Sequence, residues 1–306
     1  MARQIGLAQA RLEYSGIRLF LGALRALPYE RAIRAGAWLG SRAMTLDRGN
    51  RPIAMRNLEV AFPALEPQAR LEILRNSYRN WGRMLAEWVH SDRLNRENIE
   101  RYVTYENRDY REQAAALARG RGILLLTAHF GNFELLALAH SIYGNRIAFV
   151  HRPMRNPLVD SAMMRVRNRA GNHGIERRGA GRAIVNLLRQ NWLVGVLLDL
   201  DVRRGVFVDF FSLAASTSGG LARMSMLTGA PVVPVFIVRE GDSSRHRIIH
   251  LDPIEACGKT DHGDAIRENT QRYTAAIEFM IRRYPDHWNW IHRRWKTRPP
   301  GEPRFY

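Results

Sequence analysis

The sequence predicts an α/β fold with a largely parallel central sheet flanked by helices and an N-terminal helical, membrane-associated region. Apolar residues recur at helical spacing up to about residue 95, whereas short β-rich runs alternate with helical stretches from about residue 120. Such alternation is typical of βαβ units, which build parallel sheets with ligand sites beyond the carboxyl ends of their strands. We therefore expect functional residues at those strand ends.

Four apolar runs bounded by glycine, proline or polar residues are the predicted strands of this sheet: residues 123–128, 147–151, 193–198 and 232–238. The helices predicted between and after them cover residues 132–142, 157–170, 180–190, 219–227 and about 265–283. The chain shows no internal repeat or low-complexity linker. We expect a membrane-associated helical segment at 1–46, a helical region at 47–119 and an α/β domain at 120–306. The last two regions are expected to form one continuous fold.

The segment from Ile17 to Leu46 is apolar and helix-forming, yet arginines recur through it. Its longest uncharged apolar piece, Leu19 to Leu24, is far shorter than the ~20 residues that span a bilayer. A basic, apolar helix of this kind is typical of a segment that lies in the membrane interface. The alternative is an ordinary amphipathic helix that covers the domain.

The charge of the chain indicates an anionic partner or surface. The 306 residues carry 47 basic against 29 acidic side chains, a net charge of +18. The basic residues are spread over the whole chain, without zinc-finger spacing, an RNA-binding signature or a basic tail, so nucleic acid is not the predicted partner. An anionic membrane face or a phosphorylated substrate fits this charge. The single cysteine, Cys257, excludes an internal disulfide and a Cys-rich zinc site.

The segment from Thr127 to Glu134 carries the main catalytic candidates. The first predicted strand delivers His129 to its carboxyl end, Gly131 permits a turn, and Asn132 is a good helix N-cap. Glu134 then falls in the first helical turn, and it can approach His129 only because the chain turns between them. A carboxylate beside an imidazole fixes its tautomer and stabilises the imidazolium. We predict that His129 deprotonates a hydroxyl and that Glu134 orients its ring; otherwise His129 merely ends a strand and Glu134 is solvated.

Further candidates follow the next two predicted strands. Arg152 and Asn156 lie in a proline-stiffened loop that either holds a polar or phosphorylated group near His129 or simply joins a strand to a helix. The helix after that loop carries Arg165, Arg167 and Arg169. Arg165 and Arg169 share a face and Arg167 lies on another, so one arginine could point inward while the others are solvated. Asp199 stands at a strand's carboxyl end, where a carboxylate could orient an arginine, bind a metal or begin a turn. No further acidic ligands cluster with it, so a magnesium site is poorly supported.

The C-terminal block from Tyr284 to Pro299 is dense in aromatic and basic residues. Such density suits a membrane interface, where rings sit at headgroup level and cations meet phosphates. It also suits a tail that tryptophans pack over the domain, and the two interpretations are compatible.

Taken in order, these blocks resemble the late acyltransferases of lipid A biosynthesis, the lauroyl/myristoyl transferase family that also includes mycobacterial mannoside acyltransferases. The resemblance covers nearly the whole chain, and the block at 290–299 is the most specific. The blocks that carry it are residues 57–63, 129–134, 152–158, 199 with 205–208, 228–234 and 290–299.

The resemblance implies transfer of a fatty acyl chain from acyl-carrier protein to a hydroxyl of a lipid A precursor, at the cytoplasmic face of the inner membrane. It implies no metal and no tightly held cofactor. His129 and Glu134 would form the catalytic dyad. The predicted substrate-binding residues are Arg152, Asn156, Arg167, Asp199, Arg293 and Lys296. Two alternatives stay open: the same chemistry on a glycerol phosphate or phosphoinositol mannoside acceptor, and a non-enzymatic basic protein that binds membranes or nucleic acid.

Overall fold

A computed structural model describes residues 6–106, 119–258 and 263–306. The part of the predicted helical region at 107–118 lies outside the described residues. The helices are α1 (Leu7–Ala26), α2 (Tyr29–Leu46), α3 (Arg51–Ala61), α4 (Pro67–Val89), α5 (Phe133–Ile142), α6 (Pro157–Asn168), α7 (Ala180–Arg189), α8 (Gly220–Thr228) and α9 (Gly263–Arg283). The strands are β1 (Val103–Tyr105), β2 (Ile123–Thr127), β3 (Ile147–His151), β4 (His173–Glu176), β5 (Leu193–Leu197), β6 (Val206–Phe210), β7 (Leu213–Thr217), β8 (Val232–Arg239) and β9 (His246–His250).

Within the described residues, seven strands form the central sheet in the order β1-β9-β8-β2-β5-β3-β4. The neighbours from β8 to β4 run parallel to one another, whereas β9 is antiparallel to β8 and parallel to β1. Strands β6 and β7 form a separate antiparallel hairpin. The prediction of a largely parallel central sheet flanked by helices is confirmed.

The sheet is buried on both faces, as the continuous apolar run of β2 requires. Leu124 and Leu126 point into one core, which helices α7, α8 and α9 cover. Ile123 and Leu125 point into the other core, against α5. This alternation is the two-residue period of a strand, and burial on both faces explains why β2 has no polar residue before Thr127.

The N-terminal helices share the larger core with the sheet. Leu58 of α3 and Leu74 of α4 belong to the same buried cluster as Trp288 of the C-terminal tail. Helices α2 and α4 cross at close range, since a Cβ added at Gly82 would lie 1.9 Å from the carbonyl oxygen of Gly36. The division of the chain into three regions stays a prediction.

Helices α1 and α2 expose large apolar side chains. Leu12 and Leu19 of α1 are 77% and 79% exposed, and Trp38 of α2 is 58% exposed. Among the residues that the structure describes, no helix combines the length and the apolarity that a bilayer span requires. The membrane association of this region stays a prediction.

The C-terminal tail packs into the domain. Trp288, Trp290 and Trp295 are fully buried, so the expectation that these rings sit at headgroup level is wrong. Arg294 between them is also fully buried; it donates to the Ser216 carbonyl at 2.9 Å and lies over the Phe210 ring. The tail is therefore part of the core.

Candidate active site

The turn after β2 places His129 at the carboxyl edge of the sheet. Gly131 has a φ of +56°, and a Cβ added there would lie 2.0 Å from the carbonyl oxygen of Ile237 in β8. Only glycine tolerates that backbone conformation and that approach. Asn132 then caps α5, because its Oδ1 accepts the Leu135 N–H at 2.9 Å. The predicted turn and N-cap are both confirmed.

The C-terminal tail fixes this turn from the other side. The Gly131 N–H donates to the His287 carbonyl at 2.8 Å, and the Asn289 N–H donates to the His129 carbonyl at 3.2 Å. Phe130 and Trp288 form the β-bridge between these two hydrogen bonds. The backbone that carries His129 is therefore held by strands and tail together.

Asp199 holds the His129 ring. Strands β2 and β5 are paired with Thr127 opposite Leu197, so two residues further on Asp199 comes opposite His129. The Nδ1 atom of His129 lies 2.9 Å from Asp199 Oδ1. Asp199 Oδ2 accepts the His129 backbone N–H at 3.0 Å and the Trp288 Nε1–H at 2.9 Å. This carboxylate is buried, with three N–H groups directed at it.

The charges of this pair reinforce each other. Burial alone would raise the pKa of Asp199, but the charge and hydrogen bonds of His129, with the Trp288 N–H, lower it to about 2. Burial alone would lower the pKa of His129, but the Asp199 carboxylate raises it overall, with a smaller contribution from Glu134. An ionised Asp199 accepts the Nδ1 proton and leaves Nε2 as the basic nitrogen. Within the described residues, Nε2 has no hydrogen-bond partner.

Glu134 has a different partner from the one we expected. Arg167 on α6 binds its carboxylate with both ends of the guanidinium: Nε donates to Oε2 at 2.9 Å and Nη2 donates to Oε1. Glu134 therefore does not hold the His129 ring in this structure, as we expected it to, and its part in catalysis stays a prediction. Asp199 takes that place because the pairing of β2 with β5 brings it opposite His129, while α5 directs Glu134 toward α6. Glu134 still lies close enough to influence the pKa of His129.

A cavity of about 760 Å³ opens beside these residues. His129, Glu134, Arg152 and Arg167 line its polar part. Its apolar part is lined by side chains of β5, α6, α7 and α8, including Val196, Met163, Ile184, Leu221 and Met224. A cavity of this size, mostly apolar with a few convergent polar groups, is typical of small-molecule sites.

The structure does not bring all predicted binding residues into this cavity. Asn156 is buried as the N-cap of α6, and its Nδ2 donates to the Ala10 carbonyl at 3.0 Å and to Glu13 Oε2 at 3.1 Å. Arg293 and Lys296 are exposed on the tail and do not line the cavity. Asn156 therefore joins α6 to α1, which is a structural contact.

His292 is a cavity residue that sequence reasoning missed. The Asp201 backbone N–H donates to its Nε2 at 3.0 Å, so the proton of the neutral ring is on Nδ1. Burial lowers the pKa of His292, which favours that neutral form. Within the described residues, Nδ1 has no hydrogen-bond partner, and the ring lines the same cavity as His129. The aromatic and basic block from Tyr284 to Pro299 contains His292, but in that block only Arg293 and Lys296 were predicted to bind the acceptor.

The sequence matches the family described as bacterial lipid A biosynthesis acyltransferase over residues 11–297. The chain belongs to this family. The acyltransferase is 29% identical over 287 residues to the lipid A biosynthesis lauroyltransferase of Escherichia coli strain K12, covering 92% of this chain and 90% of that protein. The same identity and coverage relate it to the lipid A biosynthesis palmitoleoyltransferase of that strain. A lipid A biosynthesis acyltransferase of Haemophilus influenzae is 28% identical over 291 residues, with 92% and 89% coverage.

Membership confirms the resemblance and makes the protein an acyltransferase, so the alternative of a non-enzymatic binding protein is wrong. The relatives carry the names of two different acyl groups at equal similarity to this chain. Overall identity therefore does not select the acyl chain.

Proposed function

We propose that this acyltransferase moves a fatty acyl chain from an acyl-carrier-protein thioester to a hydroxyl of a lipid A precursor, with His129 as the general base. The observation that carries this proposal is the His129 ring, held at Nδ1 by the buried Asp199 and open at Nε2 beside a largely apolar cavity. Lipid A synthesis follows from the family, and the donor and the mechanism are our inference.

The proposed chemistry is a single acyl transfer. His129 Nε2 takes the proton of the acceptor hydroxyl while its oxygen attacks the thioester carbonyl carbon. The tetrahedral intermediate collapses with cleavage of the C–S bond, and the imidazolium returns the proton to the departing thiolate. Asp199 stabilises the imidazolium and keeps the correct tautomer, and such base catalysis contributes about 10²–10⁴-fold.

His292 is placed to stabilise the negative charge that develops on the carbonyl oxygen. Its Nε2 is occupied by the Asp201 N–H, so its Nδ1–H is the donor that remains for a ligand. A donor fixed by the protein stabilises an oxyanion without reorganisation. We assign the Nδ1–H of His292 to this role.

The two parts of the cavity suit the two substrates. The apolar part between α7 and α8, lined by Ile184, Leu221 and Met224, accommodates the acyl chain. The polar part, with Glu134, Arg167 and Arg152, faces the sugar and its phosphates. Arg167 uses Nε and Nη2 on Glu134, and within the described residues Nη1 is left for an anion.

The surface charge and the N-terminal helices suit the proposed setting. A net charge of +18 favours an acidic carrier protein and an anionic membrane face. The exposed apolar residues of α1 and α2 would lie in the interface of the inner membrane, on its cytoplasmic face. Arg293 and Lys296 stay predicted ligands of the acceptor, which they would meet at the surface of the tail.

The test is product identification with purified protein, acyl-carrier-protein thioester and lipid A precursor. Mass spectrometry should show one added acyl chain, and His129→Ala should reduce its formation at least ~10²-fold, the lower range for loss of a general base. His173→Ala is the matched control, because His173 is exposed at the amino end of the edge strand β4, away from the carboxyl ends where His129 lies. Near-normal turnover of a folded His129→Ala protein would contradict the mechanism.

The acceptor is tested separately in cells. Deletion of the gene should remove one acyl mass from lipid A, and that mass names the chain. Unchanged lipid A would exclude this acceptor and favour the alternative of another envelope lipid.

A further inference from the structure

A second cavity, of about 430 Å³, lies between α2, α4 and the turn that joins β8 to β9. Its charged lining consists of Arg34 on α2, Arg79 and Arg83 on α4, and Asp242 in the turn. Among the described residues that line it, three guanidinium groups therefore face one carboxylate. The excess positive charge suits an anion.

The buried arginine of this cavity is incompletely satisfied. Arg83 is 5% exposed; its Nη2 bonds Asp242 and its Nη1 donates to Asn80 Oδ1 at 2.9 Å. Its Nε is buried and has no partner among the described residues. Asp242 has a side chain that is 77% exposed and also lies 3.5 Å from Arg79. The positive charge of the three arginines is therefore only partly compensated by one exposed carboxylate, and an anion in this cavity would balance more of it.

The second cavity lies at the same edge of the sheet as His129. Strand β8 runs parallel to β2, so the turn after β8 lies at the carboxyl edge where His129 and Asp199 stand. Helix α4 contributes to both cavities, with Glu87 in the first and Arg83 in the second. A bilayer surface against this edge of the sheet would therefore lie next to both cavities.

The rim of the cavity has the chemistry of a membrane interface. Trp38 lines it and is 58% exposed, and the Arg42 guanidinium lies 5.5 Å from the centre of its ring. Ile33 and Ala37 add an apolar wall. An exposed tryptophan next to arginines is typical of the headgroup level of a bilayer, where the ring meets apolar groups and the cations meet phosphates.

We propose that this second cavity binds the phosphate of an anionic membrane lipid and thereby holds the active edge of the sheet against the bilayer. This proposal does not depend on the acyl-transfer reaction, because lipid binding is measured without turnover. The phosphate would be held by Arg34, Arg79 and Arg83, while Trp38 contacts the apolar part of the lipid.

The test compares two double variants with the same change in net charge. Arg34→Gln/Arg79→Gln removes two cavity arginines that are not buried, and Arg119→Gln/Arg189→Gln removes two exposed arginines at the opposite edge of the sheet. Binding is measured by co-sedimentation with phosphatidylcholine vesicles that contain or lack phosphatidylglycerol. Each arginine near an anionic surface contributes about 1 kcal/mol, so we expect at least ~10-fold weaker binding to phosphatidylglycerol vesicles for the cavity variant than for its control. Equal binding by the two variants would overturn the proposal.

Two further arms test the local chemistry. Asp242→Asn removes the competing carboxylate and should strengthen binding to phosphatidylglycerol vesicles more than Asp264→Asn, an exposed carboxylate in the first turn of α9. Calorimetry with inorganic phosphate tests for a free anion. If phosphate binds while the cavity and control variants bind vesicles alike, the site takes free phosphate and the lipid assignment is wrong.

Discussion

The active edge of the sheet carries two charged pairs that are held in different ways. The His129–Asp199 pair joins the ends of two adjacent central strands, and Asp199 is only 2% exposed. The Glu134–Arg167 pair bridges helices α5 and α6. None of the residues of α6, all of which are described, is fully buried. One pair therefore joins two strands of the central sheet, and the other joins two helices that cover it.

Under the proposed mechanism, this difference would separate proton transfer from recognition of the acceptor. Proton transfer needs fixed geometry, and the tail, the sheet and Trp288 all fix the first pair. Recognition of a large glycolipid tolerates, and often requires, adjustment of the binding groups. We therefore expect substitutions in the first pair to lower kcat and those in the second to raise KM for the acceptor.

Asp199→Asn should lower kcat more than any of the other substitutions considered below. The Asn amide would donate to Nδ1 of His129 and place the ring proton on Nε2, so the ring could no longer act as a base. A carboxylate in this role contributes up to ~10⁴-fold to kcat, and we expect kcat to fall at least ~10²-fold. The general base must be neutral, so activity falls as the pH drops through the raised pKa of His129. Removing the Asp199 charge lowers that pKa, and the acid limb of the kcat/KM profile should move to lower pH.

Asp201→Asn is the matched control for this shift. Asp201 stands two residues away, and its carboxylate accepts the N–H and the hydroxyl of Thr297 rather than a proton from His129. Its replacement should leave the acid limb in place. An unchanged limb in Asp199→Asn would show that another group sets the pKa of His129.

His292 offers a pair of variants that separate catalysis from structure. In His292→Gln the side-chain oxygen can still accept the Asp201 N–H, but the Nδ1–H donor is lost. In His292→Asn a donor stays near Nδ1, and the contact with Asp201 is lost. Loss of one oxyanion donor costs about 10²–10³-fold in kcat, so we expect His292→Gln to lose about 10²-fold at unchanged KM and His292→Asn to retain more activity.

The opposite order of the two variants would assign His292 to structure alone. Nitrogen NMR of the histidine rings provides a readout that needs no turnover, because the Nδ1–H tautomer has a distinct pattern of shifts. Wild-type protein should show that tautomer at His292.

Glu134→Gln and Arg167→Lys should weaken acceptor binding by about 10-fold each, which corresponds to about 1.4 kcal/mol. Lysine cannot reproduce the two-point contact with the carboxylate. Because the residues are in contact, the double variant should lose less than the product of the single losses. Steady-state kinetics with purified acceptor gives the KM of the wild type, the two single variants and the double variant, which together form a double-mutant cycle. A shift of the acid limb in Glu134→Gln as large as that in Asp199→Asn would restore Glu134 as the orienting residue.

The sequence predicted the central strands well because each carries its own apolar pattern. The run predicted at 123–128 corresponds to β2, and the run at 232–238 to β8. The strands of the central sheet that were missed lack that pattern: β1 has three residues, and β4 (His173–Glu176) and β9 (His246–His250) are short and rich in polar residues. Their backbone partners come from long-range pairing, of β1 with β9, of β9 with β8 and of β4 with β3, which no local pattern reveals.

The candidate site was predictable in its residues but not in all its contacts. His129, Glu134, Arg167 and Asp199 were all expected to be functional, and the structure brings them together. A local sequence pattern pairs the His129 ring with Glu134 because the two residues are only five positions apart. The true contact depends on the register between β2 and β5, which is a long-range property.

Asn156→Ala should have the smallest effect on turnover. Its side chain caps α6 through Leu158 N–H and joins α6 to α1 through the Ala10 carbonyl. Loss of an N-cap costs about 1 kcal/mol, so the free energy of unfolding should fall by roughly that amount in a denaturant titration. The KM for the acceptor should stay close to that of the wild type, because the amide does not line the cavity.

Asn156→Asp separates the two contacts of this side chain. Aspartate keeps an oxygen for the cap of α6, but it offers no donor to the Ala10 carbonyl and adds a negative charge beside Glu13. It should therefore release α1 while α6 stays capped. If Asn156 bound the acceptor as the sequence suggested, both variants would raise KM about 10-fold, the loss expected for one strong polar contact. A rise in KM confined to Asn156→Asp would instead show that the position of α1 affects Arg167 through α6. Acceptor binding by the Glu134–Arg167 pair would then depend on the N-terminal helix as well.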